Sequence, residues 1–178
     1  MSYSVFAYLV DKTKLDSVIG CKDRATHQRI ADANEGMLLP DEGEPEERLL
    51  AEQSLTALIE GELQNEGLDY LYALEMVCNA NGERVDLPSL EGVHWSFFDE
   101  LGMLKEASST GLPFPPFAGE SRYEPLYLSR EQLRKLIQKW DDESIAHEDR
   151  EVQAARYELL EVLESAADDG LDFIGFYG

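Results

Sequence analysis

The chain has 178 residues, 43% of them hydrophobic and 10% aromatic, with 15 Lys+Arg against 37 Asp+Glu and a formal net charge of -22. That length favours a single globular domain over residues 1–178, and that much apolar surface argues against bulk disorder. A chain this negative is repelled by phosphate backbones and anionic lipid, so neither nucleic acid nor membrane is an expected partner.

Tyr3 to Val10 is aromatic and β-branched and predicts a strand, ended by Asp11 and Lys12. A short helix is expected from about Lys14 to Ile19, stopped by Gly20, and a second over Arg24 to Ala33. Residues 34–45, with two Gly, two Pro and four acids, predict a mobile acidic loop. Glu46 to Leu63 has a helical period, with Ala51, Leu55, Leu58 and Ile59 on one side. Leu68 to Asn79 is apolar nearly all round, which predicts a central helix closed by Asn81-Gly82 in a positive-φ turn. A turn at Leu87 to Ser89, a helix at His94 to Lys105 and an irregular Ala107 to Tyr123 follow. Leu126 to Leu128 predicts a short strand. Ser129-x-x-Gln132 is a capping box that opens a helix with Leu133, Leu136, Ile137 and Trp140 inward. Glu148 to Ala167 predicts a further helix burying Leu159, Leu163 and Ala166, and Leu171 to Tyr177 a final strand. Pairing the two terminal strands side by side satisfies their edges. The expected class is therefore α+β, helix-dominated, with a small sheet formed by the N-terminal and C-terminal strands.

The charge is clustered. Asp41 to Glu66 carries nine acids and one Arg, and Asp141 to Asp172 carries twelve acids and two Arg. Arg122 to Lys139 has five bases and two acids, so negative helices beside a mildly positive patch are expected. Cys21 and Cys78 stand alone, which suits a reducing compartment, and Cys78 reads as a small core residue. No apolar run approaches the roughly 20 residues of a membrane helix. The opening MSYSVFAYLV lacks the basic start of a secretion signal, so a cytoplasmic location is expected.

The phrases MSYSVFAYLVDKTKLDSVIGCKD, YLYALEMVCNANGE, PLYLSREQL and FIGFYG together resemble an uncharacterised bacterial family known only as a domain of unknown function. In that family a strand ending in Val-Asp leads into a helix ending in Gly, a Tyr-Ala-x-Glu helix lies mid-chain, and a Gly-aromatic strand ends the domain. Here the middle element reads Tyr72-Ala73-Leu74-Glu75, while the acidic stretch Asp41 to Glu47 has no counterpart. The resemblance implies one domain and no activity.

Spacings of three and four place Tyr72, Glu75 and Asn79 along one face of the mid-chain helix. A carboxylate on so apolar a helix must be paired, hydrated or protonated. It is either a structural Glu bonded to an Arg, a Tyr or a backbone amide, or a general base in a pocket with His94 and Trp95. His147 and Glu151 have an i, i+4 spacing, but two ligands are not a site. Neither Asp141-Asp142-Glu143 nor Asp168-Asp169 follows a calcium-loop order. Phosphate loops and nucleophile elbows are absent. No metal and no cofactor is expected.

Two functions follow as expectations. One is an acidic cytoplasmic protein-interaction module, inhibitor- or immunity-like, meeting a basic protein through Glu158, Glu161 and Glu164. The alternative is a small-molecule-binding protein or enzyme with a pocket around Tyr72, Glu75, Asn79 and His94, with Glu75 and His94 as catalytic candidates and Trp95 as a further ligand contact. The residues favour the non-enzymatic role without closing the other. A homo-oligomer resting on exposed Phe114, Phe117, Phe173 and Phe176 is a third arrangement.

Overall fold

Side-chain alternation in the first strand sorts the protein into two cores. In this computed structural model, which describes residues 5–35, 45–62, 67–85, 103, 125–142 and 150–177, β1 (Val5–Val10) turns Ala7 and Leu9 to one side and Tyr8 and Val10 to the other. After β1 come α1 (Lys12–Asp16), α2 (Arg24–Ala33), α3 (Pro45–Glu60) and α4 (Gly67–Asn81). Then follow β2 (Gly82–Val85), β3 (Leu126–Leu128), α5 (Arg130–Asp142), α6 (Arg150–Asp169) and β4 (Asp172–Tyr177).

The four strands form one antiparallel sheet in the order β2-β1-β4-β3. The expected neighbours β1 and β4 are its central pair, with Leu9 opposite Phe173 and Tyr8 opposite Ile174. Helices cover both faces. Ala7, Leu9, Leu126, Leu128 and Phe173 pack with Leu133, Leu136 and Trp140 of α5 and with Leu159, Leu163 and Ala166 of α6. Tyr8, Val10, Tyr127, Ile174 and Phe176 pack with Leu15, Ile30, Leu55, Leu58 and Leu74 from α1 to α4. The class is α+β.

Local chemistry places several boundaries. Asp11 caps α1, its carboxylate accepting from the Thr13 amide at 2.9 Å and the Thr13 hydroxyl at 2.6 Å. The helix therefore starts at Lys12, ahead of the expected Lys14. Asp23 caps α2 in the same way through Thr26. Those donors hold both aspartates below the usual carboxylate range. The box at α5 forms as read: the Ser129 amide and hydroxyl donate to Gln132 Oε1 at 2.9 and 2.8 Å. The α6 helix closes on Gly170, at φ +74°, with the Leu171 amide returning to the Ala166 carbonyl at 2.8 Å.

Three expectations are corrected. Gly82 does not make a positive-φ turn; it begins an unanticipated strand, β2, directly after α4. A Cβ there would lie 2.5 Å from the Leu9 carbonyl oxygen, so the close passage of β2 over β1 requires glycine. Phe173 and Phe176 are not an exposed patch; they are buried on opposite faces of the sheet, because residues three apart in a strand point opposite ways. Phe114 and Phe117 lie outside the described residues, as do the turn at 87–89, His94, Trp95, His147 and most of 34–45.

Candidate functional site

The mid-chain helix α4 buries Ala73, Leu74, Met76, Val77 and Cys78, which leaves Tyr72, Glu75 and Asn79 half-buried on the remaining stripe. The structure thus aligns these three residues on one face as their spacing predicts. It employs them differently. Asn79 Nδ2 donates to Asn34 Oδ1 at 2.9 Å and to the Ala33 carbonyl at 3.3 Å. Asn34, 1% exposed, donates in turn to the carbonyls of Ile30 at 2.7 Å and Met76 at 2.9 Å. Arg29 completes the seam, reaching the Ala80 carbonyl at 3.1 Å and Asn81 Oδ1 at 2.8 Å. The Asn79 amide is therefore committed to holding α2 on α4.

Glu75 faces the sheet edge instead. The Tyr8 hydroxyl, from the middle of β1, donates to Glu75 Oε1 at 3.4 Å. Burial pushes the Glu75 carboxyl up to about 7, against the opposing pull of the Tyr8 hydrogen bond and the Arg84 charge on β2. Burial also raises the Tyr8 phenol and the Cys78 thiol above their ordinary ranges, with Glu75 adding to both. A half-buried carboxyl that titrates near neutrality can give or take a proton there. The residues missed in the sequence are Tyr8 and Arg84. Their strands pass over α4, and no local pattern announces that crossing.

A second polar centre lies at the other side of β4. Asp172, 6% exposed, accepts the Tyr127 hydroxyl at 2.7 Å and the Arg130 backbone amide at 2.8 Å. Burial first, and then Asp172, raises the Tyr127 phenol. All the carboxylate's contacts are internal, so this centre anchors β3 and the start of α5 to β4.

The third place is the outward side of α6. Tyr157, Glu158, Glu161, Glu164, Asp168 and Asp169 are all exposed there, Tyr157 at 73%. Leu159, Leu163, Ala166 and Ala167 face the core. None of these carboxylates has an ion-pair partner among the described residues, where Lys12 and Asp16 form a pair at 2.6 Å. The positive segment lies beside this row, because α5 packs against α6: Arg134 donates to the Ala167 carbonyl at 3.0 Å, and Arg156 donates to the Trp140 carbonyl at 2.7 Å with its guanidinium 5.1 Å from the Trp140 ring centre. The other acidic segment belongs to α3, across the sheet.

Among the described residues no group of three His, Cys, Asp or Glu side chains is arranged to hold a metal ion. His27 meets Thr56 Oγ1 at 3.2 Å on the surface. No helix among them is long and apolar enough to cross a membrane. Comparison with known proteins adds one finding: the family model of a domain of unknown function, DUF7691, matches residues 1–178, and the chain belongs to that family. No curated protein and no solved structure matches it.

Proposed function

We propose that this member of the DUF7691 family is a protein-interaction module whose outward α6 face docks a basic protein. The observation that supports the reading is the row Glu158, Glu161, Glu164 and Asp168, exposed at helical spacing and without ion-pair partners among the described residues. Asp168 and Asp169 stand in the last turn of α6, which holds no basic residue, so they oppose the helix dipole. Cations brought by a partner relieve both the mutual repulsion and that opposition. Charge of this kind acts chiefly on association rate and on the exclusion of wrong partners. Exposed Tyr157 offers an aromatic contact at one end of the row. In this reading the protein works in a bacterial cytoplasm, and an inhibitor- or immunity-like role against a basic effector is one version of it.

The test uses tagged protein and the variant E158K/E161K/E164K as baits in the source lysate, at about 50 mM and about 500 mM salt. A stoichiometric band of a basic protein is expected with the parent at low salt only, and not with the variant at either salt. Equal retention by parent and variant at low salt overturns the reading.

A second reading rests on the neutral-range Glu75 carboxyl beside Tyr8: a small-molecule-binding or enzymatic site. With the Asn79 amide committed to Asn34, Glu75 and Tyr72 are the described residues on which that reading stands.

A further inference from the structure

Glu75 has too few partners for an ionised carboxylate. Such a group offers about four lone-pair sites, and the hydrogen bond it receives here is the long one from Tyr8, 3.4 Å. The hydroxyl that makes it is fixed from both sides: Tyr8 is 1% exposed, and its ring stands edge-on to Phe176 at 5.9 Å and 80°. Around Glu75 the described titratable and charged groups are Tyr8 from β1, Arg84 from β2 and Cys78 from α4 itself. The other helices packed on α4, namely α1, α2 and α3, bring no described charged group to bear on it. One cation at the exposed strand edge and one phenol are a thin setting for a buried negative charge.

We propose that protonation of Glu75 controls how firmly α4 seats on the sheet. Neutral, the carboxyl accepts the Tyr8 hydroxyl and stays against β1. Ionised, it needs water or the Arg84 guanidinium, and both lie outward from the Tyr8 contact. The connection amplifies a small movement, because α4 ends at Asn81 and β2 begins at Gly82 with no loop between them. A shift of the helix is therefore transmitted to the edge strand, where the Gly82–Val10 register leaves no slack. The proposal is independent of any ligand beside Glu75 and of docking on α6.

The sign follows from linkage. The folded carboxyl is raised to about 7 from an ordinary 4.5, so its contribution to stability is full below about 4.5 and is lost as pH rises through about 7. The experiment measures urea unfolding midpoints of the whole chain and of E75Q, a permanently neutral carboxyl mimic, at about pH 5 and about pH 8. The expected result is that the parent's midpoint drops between the two pH values relative to that of E75Q. An offset between parent and variant that is the same at both pH values overturns the proposal. Should E75Q fail to fold, carbon NMR of the parent's Glu75 carboxyl decides the matter. A titration midpoint near 7 supports the proposal, and one in the ordinary carboxylate range overturns it.

Discussion

On the α5/α6 side of the sheet the buried residues are apolar: Leu126, Leu128, Leu133, Leu136, Leu159, Leu163 and Phe173 meet one another, Ala166 and Trp140. On the α1–α4 side the same volume of core admits polar groups. Asn34 and Ser54 are buried there, Cys78 lies at its centre, and Asp172 and Tyr127 meet on that face of the strands. Apolar packing is non-directional and accepts modest rearrangement, whereas buried amides and carboxyls fix which atoms must meet. The difference assigns separate properties to the two layers. The apolar layer gives α6 a firm backing while all its acids face out. The polar layer fixes α2 on α4 atom by atom, and it holds the one carboxyl that burial lifts towards neutrality.

Deleting packing atoms in the apolar layer is the strongest way to probe that contrast. Leu163, fully buried on α6, touches no polar group that could compensate its loss. Leu163→Ala is expected to cost about 2–5 kcal/mol, read as a lowered urea midpoint with unchanged slope. A loss under about 1 kcal/mol would mean that the layer collapses easily around a void and is less tightly packed than it looks.

The polar layer is probed by Asn34→Ala, with a smaller expected effect. The substitution leaves the Met76 carbonyl and the Asn79 amide without their Asn34 partner between α2 and α4, for a loss of about 1–3 kcal/mol. Amide exchange distinguishes it from the first variant, because α2 and the end of α4 should open first while α5 and α6 keep their protection. Uniform loss across both layers would mean that the Asn34 seam is not a local tie.

Much of this architecture is legible in the chain because its signals are local. Asp23 before Thr26, Ser129 before Gln132 and Gly170 after an amphipathic run each act within four residues, and α2, α5 and α6 stand close to where they are expected. The β1–β4 pairing is legible too, since two good strands needed edges. By contrast β2, GERV, has no apolar alternation of its own; it is a strand because Gly82 lets it lie against Leu9 and Val10. The candidate site divides in the same way. Helical spacing puts Tyr72, Glu75 and Asn79 on one stripe. Which of them would be absorbed into the fold depends on Asn34 and Tyr8, 45 and 67 positions away in sequence. The choice of layer for each acidic helix is likewise tertiary, and only packing separates α3 from α6.

The smallest effect sharpens the comparison most, because it falls where the two layers join. The start of α5 is held twice, by Ser129 with Gln132 and by Asp172 reaching from the polar side to the Arg130 amide. In Ser129→Ala the Gln132 side chain still accepts from the backbone amide of residue 129, and Asp172 still caps Arg130. A lone cap lost from an isolated helix costs about 1 kcal/mol, so with the second anchor intact the loss should fall to about half of that or less. The check is the urea midpoint of Ser129→Ala alone and in the background of Asp172→Asn. If the two anchors share the work, removing Ser129 costs more once Asp172 is weakened. Strict additivity would show instead that the capping box serves α5 alone, and that Asp172 belongs wholly to the polar layer through Tyr127.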